Sequence, residues 1–273
     1  MEKSIVSRTL SIHQEHELLL RLEGVGLTKE LAQRVIENEE LATKIIELMK
    51  HGGYKPTLSQ KRAREIMSYN FLGVEEVAEH FGIFLTKEEL TKVADIPFRE
   101  KTLQECKDTH ILFLGVNHDK QGRLLTIVRL REIFSTEAKP IISLDEKFWY
   151  EKKKFATQET LNLRWHLIRK SVLEESRRKS FAQQEKLLKE NEYRERAVVY
   201  IYGLALMFKA RGERIFQNDE VWCSDICSDA FGNYHVTIDS HFGLVGLGIS
   251  ARGDDAFDFD RRFGLAPARK PEI

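Results

Sequence analysis

In the first third of the chain, apolar side chains recur every three or four positions, which is the spacing of one face of an α-helix. One such face is formed by Leu31, Ala32, Val35 and Ile36. Thr57 with Gln60 and Thr86 with Glu89 have the spacing of a capping box, which marks where two further helices begin. Glycine and proline separate these short segments. The pattern predicts a helical bundle over residues 1–105.

The pattern changes after Cys106. Residues 109–116 are apolar on both faces, as expected for a strand buried in the centre of a sheet. Residues 124–130 are compatible with a hairpin partner for that strand or with the start of a helix. Further strands are predicted over residues 220–227, 234–242 and 244–250.

Helices are predicted between these strands, over residues 158–173, 181–188 and 194–210. The last contains the longest apolar run of the chain, twelve residues from Ala197 to Phe208. A membrane-spanning helix needs about 18 apolar residues, so we expect a buried core helix and no membrane partner.

Strands do not alternate regularly with helices, and no glycine-rich strand-to-helix turn occurs, which argues against a doubly wound nucleotide-binding fold. The predicted class is α+β, with two domains. A helical domain over residues 1–105 precedes an α+β domain over residues 106–273. In the second domain we expect a mostly antiparallel sheet packed with two or three helices, one of them the buried core helix.

The composition is that of a globular chain. Of the 273 residues, 42% are hydrophobic and only 5 are proline, while 43 basic and 43 acidic residues give a net charge of zero. This balance excludes a histone-like polycation and an acidic disordered chain.

Cysteine content bears on the compartment. The chain has three cysteines, an odd and sparse set that does not fit a secreted disulfide framework. Cys223 and Cys227 lack the spacing of a zinc knuckle, so we expect them to be buried as small apolar groups. The first twenty residues lack the apolar core of a secretion signal. These features predict a cytoplasmic protein.

Charge is segregated along the chain although the total is balanced. The stretch Lys147–Lys179 contains ten basic and four acidic residues, with Trp149, Tyr150 and Phe155 among its aromatic residues. Basic side chains attract phosphate and aromatic rings stack on bases, so this combination predicts a surface for RNA or single-stranded DNA. The most exposed candidate contacts are Lys152, Lys153, Lys154, Arg177, Arg178 and Lys179.

A second interpretation stays open for the same stretch. Between Arg214 and Asp260 there are nine acidic and two basic residues, so the two stretches could neutralise each other inside one fold, with Trp149, Phe155 and Trp165 in the core. The function favoured by the sequence is a binding module that contacts nucleic acid or an acidic partner protein. A structural or assembly protein is a further hypothesis.

The strand predicted around residue 238 carries another candidate site. Alternation places His235, Asp239 and His241 on one face, where imidazole and carboxylate groups could hold a metal ion for a hydrolase. Successive residues on one face are about 7 Å apart, so both histidines reach one ion only if the strand curves. The competing interpretation is a solvated polar face. The sequence identifies no other cofactor.

Overall fold

The chain divides into two units, Met1–Gly53 and Tyr54–Ile273. A computed structural model describes residues 10–51, 54–134, 141–142, 149–216, 219–229, 232–239, 247–253 and 262–272. The boundary predicted between residues 105 and 106 lies inside the second unit.

Over the described residues 10–51, the first unit contains three helices, α1 (Ile12–Gly24), α2 (Lys29–Glu37) and α3 (Glu39–His51). Two of these helices have a residue with a hydroxyl side chain as N-cap. The hydroxyl groups of Ser11 and Thr28 accept hydrogen bonds from backbone N–H groups in the first turns of α1 and α2. No residue of α1 or α2 is buried. Several large apolar side chains of these helices are exposed instead, among them Leu19 and Ile36.

The second unit contains eight helices and nine strands among the residues that the structure describes. Its helices are α4 (Leu58–Met67), α5 (Val74–Phe81), α6 (Lys87–Lys92), α7 (Glu100–Cys106), α8 (Ile127–Phe134), α9 (Lys154–Thr157), α10 (Phe181–Glu185) and α11 (Ala197–Arg211). Its strands are β1 (Phe71–Leu72), β2 (His110–Gly115), β3 (Arg164–Arg169), β4 (Glu192–Tyr193), β5 (Glu220–Asp229), β6 (Gly232–Asp239), β7 (Gly248–Arg252), β8 (Phe263–Gly264) and β9 (Ala268–Arg269). Both predicted capping boxes are present, at Thr57 before α4 and at Thr86 before α6.

These strands form two sheets, in the orders β1-β2-β3-β9-β4 and β7-β6-β5-β8. β1 pairs with β2 and β5 pairs with β8 in parallel, while the other pairings are antiparallel. The α+β class is therefore confirmed, but the mostly antiparallel sheet is wrong, because both sheets are mixed. Each parallel pair is made by a strand of two residues, which is too short to leave an alternating pattern.

β2 and β3 form the centre of the first sheet. The predicted central strand is confirmed as β2, in which every residue is buried. The helix predicted over residues 158–173 is wrong, because β3 pairs with β2 along its whole length, from Arg164 opposite Gly115 to Arg169 opposite His110. This tertiary pairing overrides local helical preference. The undecided segment 124–130 leads into α8.

The predicted core helix is confirmed as α11. Every residue from Ala197 to Met207 is buried, and the helix contacts β1 and β2 of one sheet and β5 and β6 of the other. Gly212 ends it with a φ of 69°, a left-handed conformation that glycine adopts without strain. None of the helices among the described residues combines the length and the apolar character needed to cross a bilayer.

The N-terminus of α11 is buried and takes its hydrogen-bond acceptors from side chains outside the helix. Asp225 Oδ2 accepts a hydrogen bond from the Ala197 N–H at 2.6 Å, and Glu195 Oε1 accepts one from the Arg196 N–H at 2.9 Å. Asp225 lies where the register of β5 against β6 shifts, between Trp222 and Ile226. This irregularity brings a carboxylate to N–H groups that have no partner within the helix.

Glu195 is also the centre of a buried polar cluster. The Tyr193 hydroxyl donates to Glu195 Oε2 at 2.6 Å, and His166 Nδ1 lies 3.3 Å from the same oxygen. Burial opposes ionisation of Glu195, but the hydrogen bonds from His166 and Tyr193 outweigh it and lower the pKa of Glu195. Burial lowers the pKa of His166, against the hydrogen bond and the charge of Glu195, which raise it.

The cap on α11 predicts a loss of stability in Asp225→Ala. That variant leaves a buried N–H without an acceptor, which costs about 1–3 kcal/mol of unfolding free energy in urea titrations. Asp225→Asn keeps an acceptor oxygen and should lose less. Ser224→Ala changes the exposed neighbouring residue and serves as the control. Equal stability of Asp225→Ala and the control would show that the cap contributes nothing.

His110 predicts how stability depends on pH. Burial, followed by the charges of Arg269, Arg169 and Lys189, lowers the pKa of His110 from 6.5 to about 3. Below pH 6.5, the His110 imidazole therefore binds a proton in the unfolded chain but not in the folded chain. Its full contribution to the free energy of unfolding is present above pH 6.5 and is lost as the pH drops toward 3.

In urea titrations, the free energy of unfolding should fall by up to about 1.4 kcal/mol per pH unit between pH 6.5 and about pH 5 because of this group. His110→Gln should show a shallower loss, with His166 still contributing, whereas the exposed control His13→Gln should match the parent chain. Identical pH profiles for all three proteins would contradict the assignment.

Candidate nucleic-acid interface

The three predicted contacts Lys152, Lys153 and Lys154 lie at the start of α9. Lys152 and Lys154 are exposed, and neither forms an ion pair with a residue that the structure describes. Lys153 is half-buried, and its Nζ donates a hydrogen bond to the Ser228 carbonyl at 3.0 Å. The ammonium groups of this cluster are therefore directed to solvent or to the edge of the second sheet.

The other predicted cluster, Arg177 to Lys179, has a different environment. The Arg177 guanidinium pairs with Glu174 at 2.9 Å and with Asp219 at 2.7 Å, so the acidic C-terminal stretch neutralises it. Arg178 is exposed, in a left-handed conformation with a φ of 54°, and Lys179 is half-buried. For Arg177, the geometry agrees with the interpretation of internal charge pairing.

The structure does not bring the two clusters together. Lys153 bonds to Ser228 near the end of β5, whereas Arg177 pairs with Asp219 just before β5 begins. At about 3.3 Å per residue, these attachment points are roughly 30 Å apart along the strand. Each cluster must therefore be considered as a separate surface.

A shallow groove of about 640 Å³ lies beside the lysine cluster, where α9 approaches the edge of the second sheet. We call it the aromatic–basic groove. It is lined by Trp149, Lys153, Cys227, Tyr234, Ser250, Ala251 and Arg252. The groove thus combines two aromatic rings with two cationic side chains, and the exposed Lys152 and Lys154 flank Lys153 in sequence.

Trp149 is the exposed ring of this groove. Its Nε1 donates a hydrogen bond to the Ile249 carbonyl at 2.8 Å. Its ring centroid lies 5.7 Å from that of Tyr150 and 5.6 Å from that of Phe155. Phe155 and Trp165 are buried, as the core interpretation expects, but Trp149, which it also places in the core, remains 38% exposed. The ring is therefore held in one orientation while part of it stays open to solvent.

Tyr234 and Arg252 come from the acidic stretch of the chain. Tyr234 lies opposite Cys227 in the β5–β6 pairing, and Arg252 ends β7. The Arg252 Nε donates to Glu220 Oε1 at 3.2 Å, and 43% of its side chain is exposed. Burial raises the pKa of Glu220, against hydrogen bonds from Thr237 and Arg252. The local sequence pattern does not identify Tyr234 or Arg252 as binding residues, because only the pairing of strands in the sheet brings them close to Trp149.

The residues predicted to hold a metal ion serve partly in packing. The His235 ring stacks on the rings of Phe181 and Trp222, with distances between ring centroids of 3.6 Å and 5.7 Å. Asp239 lies opposite Glu220 in the β5–β6 pairing. It comes four residues after His235 in β6, which separates the two residues by about 13 Å along the strand. His241, the third residue predicted for this site, lies outside the residues that the structure describes.

Among the described residues, no group of three or more His, Cys, Asp or Glu side chains is placed to hold a metal ion. The three cysteines are buried as free thiols, as predicted for Cys223 and Cys227. The metal-assisted hydrolase stays a prediction from the sequence. The candidate site that the described residues form is the aromatic–basic groove.

No protein-family model, curated protein or solved structure matches the chain. The aromatic–basic groove is therefore interpreted from its own chemistry. Ammonium and guanidinium groups attract phosphate oxygens, and a partly exposed, fixed indole ring offers a face on which a base can stack.

Proposed function

We propose that this protein is a binding module that holds single-stranded nucleic acid, RNA or DNA, in the aromatic–basic groove. The observation that supports the proposal is that Trp149 exposes part of a fixed ring in the groove that Lys153 also lines. Lys152 and Lys154 extend the positive charge beyond it.

The two kinds of side chain have separable roles. The lysines neutralise phosphates, a contribution that weakens with salt and does not depend on base sequence. The indole of Trp149 stacks on an unpaired base, which contributes about 1–3 kcal/mol per base and depends little on salt. Duplex nucleic acid hides its base faces, so the groove should prefer single strands.

Charge removal tests the phosphate contribution. Fluorescence anisotropy with labelled single-stranded RNA and DNA between about 50 and 300 mM salt should give a log–log plot of negative slope. The triple variant Lys152→Ala/Lys153→Ala/Lys154→Ala should flatten that slope by up to about 2, because each phosphate on a single strand that is no longer neutralised reduces it by about 0.7.

A matched control removes the same charge elsewhere. Lys61, Lys101 and Lys107 are exposed on or beside α4 and α7, and their replacement by alanine should leave the slope unchanged. Equal effects of the two triple variants, or no binding of either probe at low salt, would contradict the proposal.

Trp149→Ala tests the stacking contribution in the same assay. It should weaken single-strand binding about 5- to 150-fold while leaving the salt slope unchanged, and Trp149→Phe should retain most of the affinity. A duplex of the same sequence should be insensitive to Trp149→Ala. Binding that needs the three lysines but ignores Trp149 would instead favour an acidic protein partner.

A further inference from the structure

The outer edge of β7 forms one side of the aromatic–basic groove. Among the strands that the structure describes, β7 is the last of the second sheet and pairs with β6 alone. Ser250, Ala251 and Arg252 of this strand line the groove together with Trp149. An edge strand carries backbone N–H and C=O groups that no neighbouring strand satisfies. The groove therefore contains backbone donors and acceptors as well as side chains.

Two hydrogen bonds show which residues at this edge point away from β6. The Leu247 N–H donates to the Ile141 carbonyl at 2.7 Å, and the Ile249 carbonyl accepts from Trp149 Nε1 at 2.8 Å. Successive residues of an antiparallel strand direct their backbone groups alternately toward and away from the neighbouring strand. The β6–β7 register contains no shift. Ala251 therefore directs its N–H and C=O to the outer side, as Leu247 and Ile249 do.

Ala251 is the outward-pointing residue of β7 whose two backbone groups are both open. Neither its N–H nor its C=O forms a hydrogen bond with a residue in the described part of the chain. Ala251 is half-buried, so the groove reaches it. It follows Ile249 by two residues, which is about 7 Å along the strand. One open donor and one open acceptor thus lie beside the point where the Trp149 ring is anchored.

These two groups match the pairing edge of a nucleobase. Each of the four bases carries a donor next to an acceptor on its Watson–Crick edge, and proteins that bind single strands hydrogen-bond this edge while an aromatic ring stacks on the base. A peptide that adds to a sheet as a further strand needs a row of open residues. The edge of β7 offers Ala251 alone with both groups open, since Trp149 occupies the Ile249 carbonyl.

We propose that the aromatic–basic groove recognises an unpaired base by its Watson–Crick edge, which hydrogen-bonds the N–H and C=O of Ala251 while the face of the base lies on Trp149. This inference rests on the proposed function and specifies how the base is recognised. Because all four bases offer a donor and an acceptor, the contact selects unpaired bases and not a particular sequence. In a duplex, the complementary strand occupies the same edge.

Methylated oligonucleotides test the contact on the unaltered protein. Single strands of uridine, with ribose or deoxyribose, are compared with strands of 3-methyluridine and of 5-methyluridine by fluorescence anisotropy. The 3-methyl group removes the donor of the pairing edge, so we expect binding at least about fivefold weaker. The 5-methyl group has the same size but lies away from that edge, so the 5-methyluridine strand should bind as tightly as the uridine strand.

Ala251→Pro tests the protein side of the same contact. Proline lacks the N–H and is tolerated on an edge strand where that N–H faces outward. We expect uridine strands to bind about threefold to tenfold more weakly, because one hydrogen bond is lost. The 3-methyluridine strand should respond much less, since its methyl group already keeps the pairing edge from the strand. Ala251→Gly retains the N–H and serves as the control, and urea titrations verify that both variants fold.

The outcomes separate this inference from the proposed function. Equal binding of the 3-methyluridine and 5-methyluridine strands, with the dependence on Trp149 and on the lysines intact, would overturn recognition of the pairing edge and leave the binding module standing. Equal weakening of the uridine and 3-methyluridine strands by Ala251→Pro would also overturn it. No binding of any strand at low salt would overturn both. Should Ala251→Pro fail to fold, the methylated strands decide the question on the parent protein.

Discussion

The arrangement of the second unit depends on how the buried N-terminus of α11 is satisfied. A helix that is apolar all round can be enclosed between two sheets only if its first N–H groups find acceptors away from water. Glu195 and Asp225 provide those acceptors, from the approach to the helix and from β5. The same two carboxylates therefore fix α11 and connect it to the second sheet.

The irregularity that places Asp225 also sets the register on which the aromatic–basic groove depends. Before it, Trp222 lies opposite Thr237, and after it Ile226 lies opposite His235. The shifted register puts Tyr234 at the groove and carries Ser228 to the ammonium group of Lys153. Helix capping and the position of the proposed binding surface are thus consequences of one local feature of β5.

Sequence patterns predicted the elements whose signal is local. The apolar run of α11, the buried strand β2 and the capping boxes at Thr57 and Thr86 are each encoded within a few residues. The sequence did not predict β3, because its strand character comes from pairing with β2. The lysines of the candidate interface were found from composition, but Tyr234 and Arg252 reach it only through sheet pairing.

The intrinsic emission of Trp149 offers the most direct measurement of the central claim. Of the three tryptophans, Trp165 and Trp222 are 2% and 0% exposed, so the 38% exposed Trp149 is the one that a ligand in the groove can contact. Titration with single-stranded oligonucleotides at low salt should quench the emission, and Trp149→Phe should lose that response. An oligonucleotide that binds without quenching, or quenching that persists in Trp149→Phe, would contradict binding in the aromatic–basic groove.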